Sequence, residues 1–175
     1  MILTALFLAA AQTSTAAPPP PPPVPPKVDC GDADHTAFDF WIGDWDVSAT
    51  GSPGVIAHSR IEKIVGCAIS ETYDQTIGPG NKPVDYHGRS ISSYVQPDKV
   101  WRQFYTDNAG TAATLTGEAT GGAMVFTSRV GPVTNRMTVR PNPDGSVRQS
   151  GEFSTDDGKT WKPGYDFTYR KRATA

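Results

Sequence analysis

Phe38-Asp39-Phe40-Trp41-Ile42-Gly43-Asp44-Trp45-Asp46-Val47 is the most informative stretch of this chain, and its reading decides the fold. Thr36 to Trp41 predicts a short helical turn, and Gly43-Asp44-Trp45 then opens the first strand with a Gly-x-Trp. Beyond it the punctuation is that of an all-β chain. Turn signals recur at Gly51-Ser52-Pro53-Gly54, Gly78-Pro79-Gly80, Pro97-Asp98, Asn108-Ala109-Gly110, Gly121-Gly122, Pro141-Asn142-Pro143-Asp144-Gly145 and Asp156-Asp157-Gly158. Most are separated by runs of about 8 to 12 residues, the spacing of a sandwich or barrel.

Those runs are rich in Val, Ile, Thr, Tyr, Phe and Trp, which suit a pleated, half-buried surface. They predict strands near 43–50, 55–65, 67–74, 86–96, 100–107, 112–120, 123–129, 133–140, 146–154 and 160–171. No segment sustains a 3.6-residue apolar period long enough for a core helix. Strands joined by short turns pair with their sequence neighbours, and closing the meander removes its exposed edges. The expected fold is an antiparallel up-and-down β-barrel of eight to ten strands with a short helical turn before the first, a flat sandwich being the alternative. A barrel of that size is wide enough to hold a small ligand.

Upstream, Ile2 to Ala11 is a short apolar run followed by small residues, with Ser14-Thr15-Ala16 as a candidate cleavage triplet. Residues 1–17 therefore read as a signal peptide, although the usual basic n-region is missing. The run is well short of the ~20 residues of a membrane span, so no stable membrane insertion is expected and the destination is secreted or periplasmic. Residues 18–29 are a proline-rich spacer; in its run 18–26 the backbone has few N–H donors and a fixed φ, which leaves polyproline II and a reach of roughly 28 Å. The barrel domain is 30–175. In an oxidising compartment Cys30 and Cys67 are candidates for one disulfide, the alternative being two unpaired thiols.

Composition narrows the function. A net charge of −2 and a pI near 5.9 give no basic face for nucleic acid, and the cluster Arg170-Lys171-Arg172 reads as solvated. His35, His58 and His87 lie far apart and no Cys-x-x-Cys occurs, so neither a metal site nor a cofactor is expected. Asp156-Asp157-Gly158 reads as a hairpin turn rather than a calcium loop.

The segment 36–171 resembles a bacterial family of secreted lipocalin-like proteins of unknown function within the calycin group. The residues that carry the likeness are Phe38 to Val47, Gly66 to Glu71, Trp101-Arg102-Gln103-Phe104-Tyr105-Thr106-Asp107, and Ser154 to Trp161. The resemblance implies a barrel with an internal pocket and brings no settled activity. It also implies that Trp45 closes the barrel base and that an arginine of the last strand, Arg170, packs on its ring. Nitrobindin is similar in shape at a greater distance. It holds haem through a histidine near its C-terminus, and this chain has none after His87.

Polar residues in phase with large apolar ones on a strand are candidates for a pocket wall. Glu71 is in phase with Ile69 and Tyr73, Gln103 with Trp101 and Tyr105, and Gln149 with Val147 and Phe153. Arg136 falls in phase with Thr138 and opposite Met137. The candidate ligand-binding set is thus Glu71, Tyr73, Trp101, Gln103, Tyr105, Arg136 and Gln149, although a solvated strand face also carries polar residues at every second position. A buried charge is costly unless paired, so Glu71 and Arg136 are expected to meet each other or a ligand. The expected function is a barrel that takes up a small amphipathic or hydrophobic molecule, as a monomer or weak homo-oligomer. The alternatives are a small-molecule enzyme with Glu71 as general acid or base, and a structural or interaction protein of the envelope. No Gly-x-Ser-x-Gly elbow occurs, and no catalytic residue is assigned.

Overall fold

Ten antiparallel strands, each beside its neighbours in sequence, form a barrel that closes by pairing the first with the last. The structure, a computed structural model, describes residues 21, 23, 24 and 27–173. The candidate signal segment and half of the proline spacer lie outside the described residues. The strands are β1 (Gly43–Ala49), β2 (Val55–Lys63), β3 (Ile69–Ile77), β4 (Pro83–Val95), β5 (Val100–Asp107), β6 (Ala112–Thr120), β7 (Ala123–Val130), β8 (Val133–Pro141), β9 (Val147–Ser154) and β10 (Lys162–Lys171). The all-β meander expected from turn spacing is therefore the fold, with every expected strand present.

Side chains alternate between lumen and exterior. On β3, Ile69, Glu71 and Tyr73 are buried while Thr72 is exposed. The exterior carries ion pairs such as His87 with Asp74 (2.7 Å) and Arg102 with Asp98 (3.0 Å).

One end of the barrel is plugged. The segment before β1 forms α1 (Ala33–Thr36) and a single 3-10 turn, Asp39–Trp41, so the expected helical turn is present as two short pieces. Asp32 caps α1 by accepting from the His35 N–H at 2.8 Å, satisfying a donor that the first turn leaves free. Cys30 is disulfide-bonded to Cys67 in the turn between β2 and β3, which ties this segment across the end. Phe38 and Trp41, both fully buried, stack at 4.9 Å in the lumen. Trp101 meets Phe38 edge-on at 5.8 Å, and the Trp45 indole N–H donates to the Trp41 carbonyl at 2.9 Å. Each such side chain contributes about 1.5–3 kcal/mol by leaving water.

Trp45 therefore sits at the closed base, but the cation on it is Lys171 and not Arg170. Lys171 Nζ lies 4.0 Å from the ring centroid. The register explains the correction: Trp45 pairs with Lys171 across β1 and β10, whereas Arg170 pairs with Asp46. A shift of one residue moves a side chain to the other face, and there Arg170 donates to Ser48 Oγ at 3.1 Å.

Candidate functional site

Above the aromatic plug the lumen is not filled. A half-open cavity of about 580 Å³ occupies the other end of the barrel, within the range of small-molecule sites. Residues of eight strands, β3 to β10, supply its walls, and Tyr169 at its depth meets Trp41 of the plug edge-on at 6.0 Å. Five of the chain's six tyrosines line it: Tyr73, Tyr86, Tyr105, Tyr165 and Tyr169. Phe153, Phe167, Leu115, Met137 and Val130 complete a mainly apolar wall. Tyr165 stacks on Phe167 at 5.2 Å, and Phe167 on Tyr73 at 6.5 Å.

Two glycines make room for these rings. Tyr165 pairs with Gly151 across β10 and β9, and a Cβ at Gly151 would collide with that ring. A Cβ at Gly88 would likewise meet the Tyr105 ring and hydroxyl. Glycine in a strand interior marks such close approaches.

The polar groups are few and set at two levels. Deep in the lumen Glu71, only 7% exposed, accepts from Ser59 Oγ at 3.0 Å and Ser90 Oγ at 3.4 Å. Burial dominates its ionisation and lifts the carboxyl from 4.5 to about 7, against the opposing serine hydrogen bonds and the more distant Arg89 charge. Gln103 donates to Ser92 Oγ at 3.0 Å, and the Tyr169 hydroxyl donates to Gln149 Oε1 at 2.7 Å. Nearer the mouth, Tyr86 and Tyr105 are hydrogen-bonded through their hydroxyls, and Tyr86 also donates to Asp107 Oδ2 at 2.9 Å. The Thr111 backbone N–H, with help from Tyr86, holds the Asp107 carboxyl below its ordinary value, so it is charged. Burial pushes the hydroxyls of Tyr73, Tyr105, Tyr165 and Tyr169 upward, so they remain protonated donors.

Of the seven residues singled out in the sequence, Glu71, Tyr73, Gln103, Tyr105 and Gln149 come together around this cavity. Trp101 does not. It shares their face but sits lower on β5, 2% exposed in the plug beside Phe38, and at 6.1 Å from Tyr94. Arg136 borders the cavity, yet it lies across from Glu152 in the β8–β9 register, and its Nη2 donates to that carboxylate at 2.8 Å. Its guanidinium covers Trp161 at 4.0 Å. The expected meeting of Glu71 with Arg136 is therefore absent, because the buried Met137 takes the inward phase of β8 and turns Arg136 away from the lumen.

Ser59, Ser90, Tyr86, Asp107, Tyr165 and Phe167 escaped the sequence reading. Tyr165-x-Phe167-x-Tyr169 was the recoverable signal, three aromatic residues at period two on one strand. Small serines carry no such mark; cross-strand register sets Ser90 directly opposite Glu71 and Ser59 opposite Tyr73, diagonal to the carboxylate.

Among the described residues, no group of three or more His, Cys, Asp or Glu is placed to hold a metal ion. No described helix is long and apolar enough to cross a membrane. Fold and site together define a closed ten-stranded antiparallel barrel, consistent with a calycin-like fold, with one plugged end and an aromatic cavity at the other. No protein-family model matches the chain. No curated protein matches it either.

Proposed function

We propose that this chain is an exported, lipocalin-like binding module that takes a small amphipathic molecule into its lumen. The observation that carries the reading is the cavity of about 580 Å³, with its tyrosine-rich apolar wall and a few polar groups at fixed depths. Apolar walls drive entry by desolvation, and sparse polar groups orient what enters. Membership of the secreted lipocalin-like family is supported by the Gly43-x-Trp45 start and the plugged meander barrel. Export is supported by the apolar run 2–11 and by the Cys30–Cys67 bond, since disulfides persist in oxidising compartments.

The test is native mass spectrometry of gently purified protein, paired with a crystal structure of the same preparation. A mass increment that maps to density between Tyr73 and Tyr165 is the expected result. An Ala113→Trp variant, which projects a bulky ring from the cavity wall, should lose it. Retention of the increment in that variant places the ligand elsewhere and overturns the reading.

A second reading rests on Glu71. A carboxyl lifted to about 7 and facing a cavity is suited to general acid–base work. Turnover of a bound small molecule that is lost in Glu71→Gln, with binding intact, would favour an isomerase, cyclase or hydrolase over a carrier.

A further inference from the structure

The charges around the cavity do not balance, and the imbalance has one sign. Four charged residues border it: Glu71, Asp107, Arg136 and Glu152. Arg136 and Glu152 satisfy each other, the guanidinium donating through Nε at 3.1 Å and through Nη2 at 2.8 Å. Among the described residues that leaves two carboxylates, one deep and one near the mouth, with no cation directed at either from within the lumen.

Glu71 is the deeper of the two. Each of its oxygens accepts from one serine hydroxyl, at 3.0 and 3.4 Å. An ionised carboxylate has about four acceptor sites, so unused capacity remains. Beside it stand the hydroxyls of Ser59 of β2 and Ser90 of β4, and the titratable groups that feel its charge are those of Tyr73, Tyr86, Tyr105, Tyr165 and Tyr169, from β3, β4, β5 and β10. The nearest cation, Arg89, is on the outer face of β4, where Asp74 holds it at 2.9 Å and the Tyr73 carbonyl at 3.0 Å. A buried carboxylate without a counter-charge is costly, and a ligand able to bring one recovers that cost.

The wall has the matching chemistry. Aromatic faces attract an organic cation and offer apolar contact to its body. The tyrosine hydroxyls near the mouth are already engaged with Asp107, which adds a second negative charge on the path inward.

We propose that the ligand is a small amphipathic amine, bound as its ammonium ion with the nitrogen against Glu71 and the apolar body between the tyrosine and phenylalanine rings. This rests on the binding-module reading and names the chemical class that module selects. Anionic ligands of the same shape are excluded by the two unpaired carboxylates, and neutral ones leave Glu71 without a counter-charge.

The test uses three probes of one shape: 2-phenylethylamine, 2-phenylethanol and 3-phenylpropionate. Binding to the purified protein is followed by calorimetry and by heteronuclear NMR shifts of lumen residues. At pH 8 the amine should bind at least about tenfold tighter than the alcohol, and the carboxylate not measurably. The preference should collapse in Glu71→Gln. Should that variant fail to fold, the wild-type pH profile decides alone. The amine stays protonated throughout, so its affinity should fall by about tenfold or more from pH 8 to pH 5.5 as Glu71 takes up a proton, while that of the alcohol stays level. Equal or tighter binding of the alcohol or the carboxylate overturns the amine proposal and leaves the binding module standing. An amine preference that persists in Glu71→Gln and is flat with pH also overturns it. If no probe perturbs the lumen at millimolar concentration, both the amine proposal and the binding-module reading fall.

Discussion

Lys171 lies over Trp45, its ammonium 4.0 Å from the indole centroid, and the pair seals the seam where the last strand meets the first. The lysine reaches past Gly43, whose missing side chain makes the approach possible, since a Cβ there would collide with the ammonium. Gly43 also has a φ of 152°, a conformation that other residues rarely adopt. Nζ then donates to the Ile42 carbonyl at 2.7 Å, which fixes the chain just before the strand. Glycine, tryptophan and lysine form one unit, and the glycine is required for the cation to reach the ring.

Trp45→Ala should cost about 3–5 kcal/mol, the usual scale for deleting a buried aromatic side chain. Lys171→Ala should cost about 0.5–1 kcal/mol, because the pair is partly exposed. Arg170→Ala should cost less than Lys171→Ala. Urea midpoints for the three variants check the order, and a larger loss for Arg170→Ala would contradict the register.

Stability should depend on pH through Glu71. Its carboxyl rises from 4.5 to about 7 on folding, so between those values the folded state holds the extra proton. Stability from this group therefore falls as pH rises through the window. The penalty is absent below about pH 4.5 and complete above about pH 7, at about 3 kcal/mol. Glu71→Gln should be close to neutral at pH 4 and stabilising at pH 8. Denaturation curves across that range check it, and a constant difference would mean that Glu71 ionises as if in water.

Loss of the disulfide should destabilise by about 4 kcal/mol, the loop-closure entropy expected for a sequence separation of 37. The paired variant Cys30→Ser with Cys67→Ser should also loosen the plug, since this bond ties the 30–41 segment to the barrel. Hydrogen exchange at Phe38 to Trp41 should rise before exchange in β5 to β8. Uniform loss of protection would show that the plug is held by packing alone.

Two glycine substitutions should behave differently. A Cβ at Gly117 would collide with the Phe126 ring, which is fully buried and cannot move away. Gly117→Ala should cost about 1–3 kcal/mol by overpacking. At Gly151 the collision is with Tyr165, which is 38% exposed near the mouth and free to swing outward. Gly151→Ala should leave stability within about 1 kcal/mol and change ligand affinity instead. Thermal melts and binding curves on the two variants separate the cases.

Much of the site was legible because strand alternation is a local property. Ile69, Glu71 and Tyr73 share a face whatever the rest of the chain does, and the same holds for Gln103 with Tyr105. Alternation gives the face but not the height. Trp101 was placed in the wall with Gln103, yet the plug rises to its level and takes it as packing, and only the path of the segment 33–41 decides that. Arg136 was recognisably out of phase with Met137, but its partner Glu152 and the covering ring of Trp161 come from other strands and loops.

The sequence by itself determined the all-β fold, the ten strands and the turn before β1, since turn chemistry and period-two patterning act over a few residues; the tryptophan at the base was implied by the family resemblance. The tertiary structure decided that Lys171 rather than Arg170 covers Trp45, that Cys30 bonds Cys67, and that Glu71 faces two serines and an unfilled lumen instead of an arginine. The first depends on register between the strands at the two ends of the barrel chain, and the last on register between β3 and its neighbours. A one-residue change of register exchanges every partner while leaving each strand's own pattern intact.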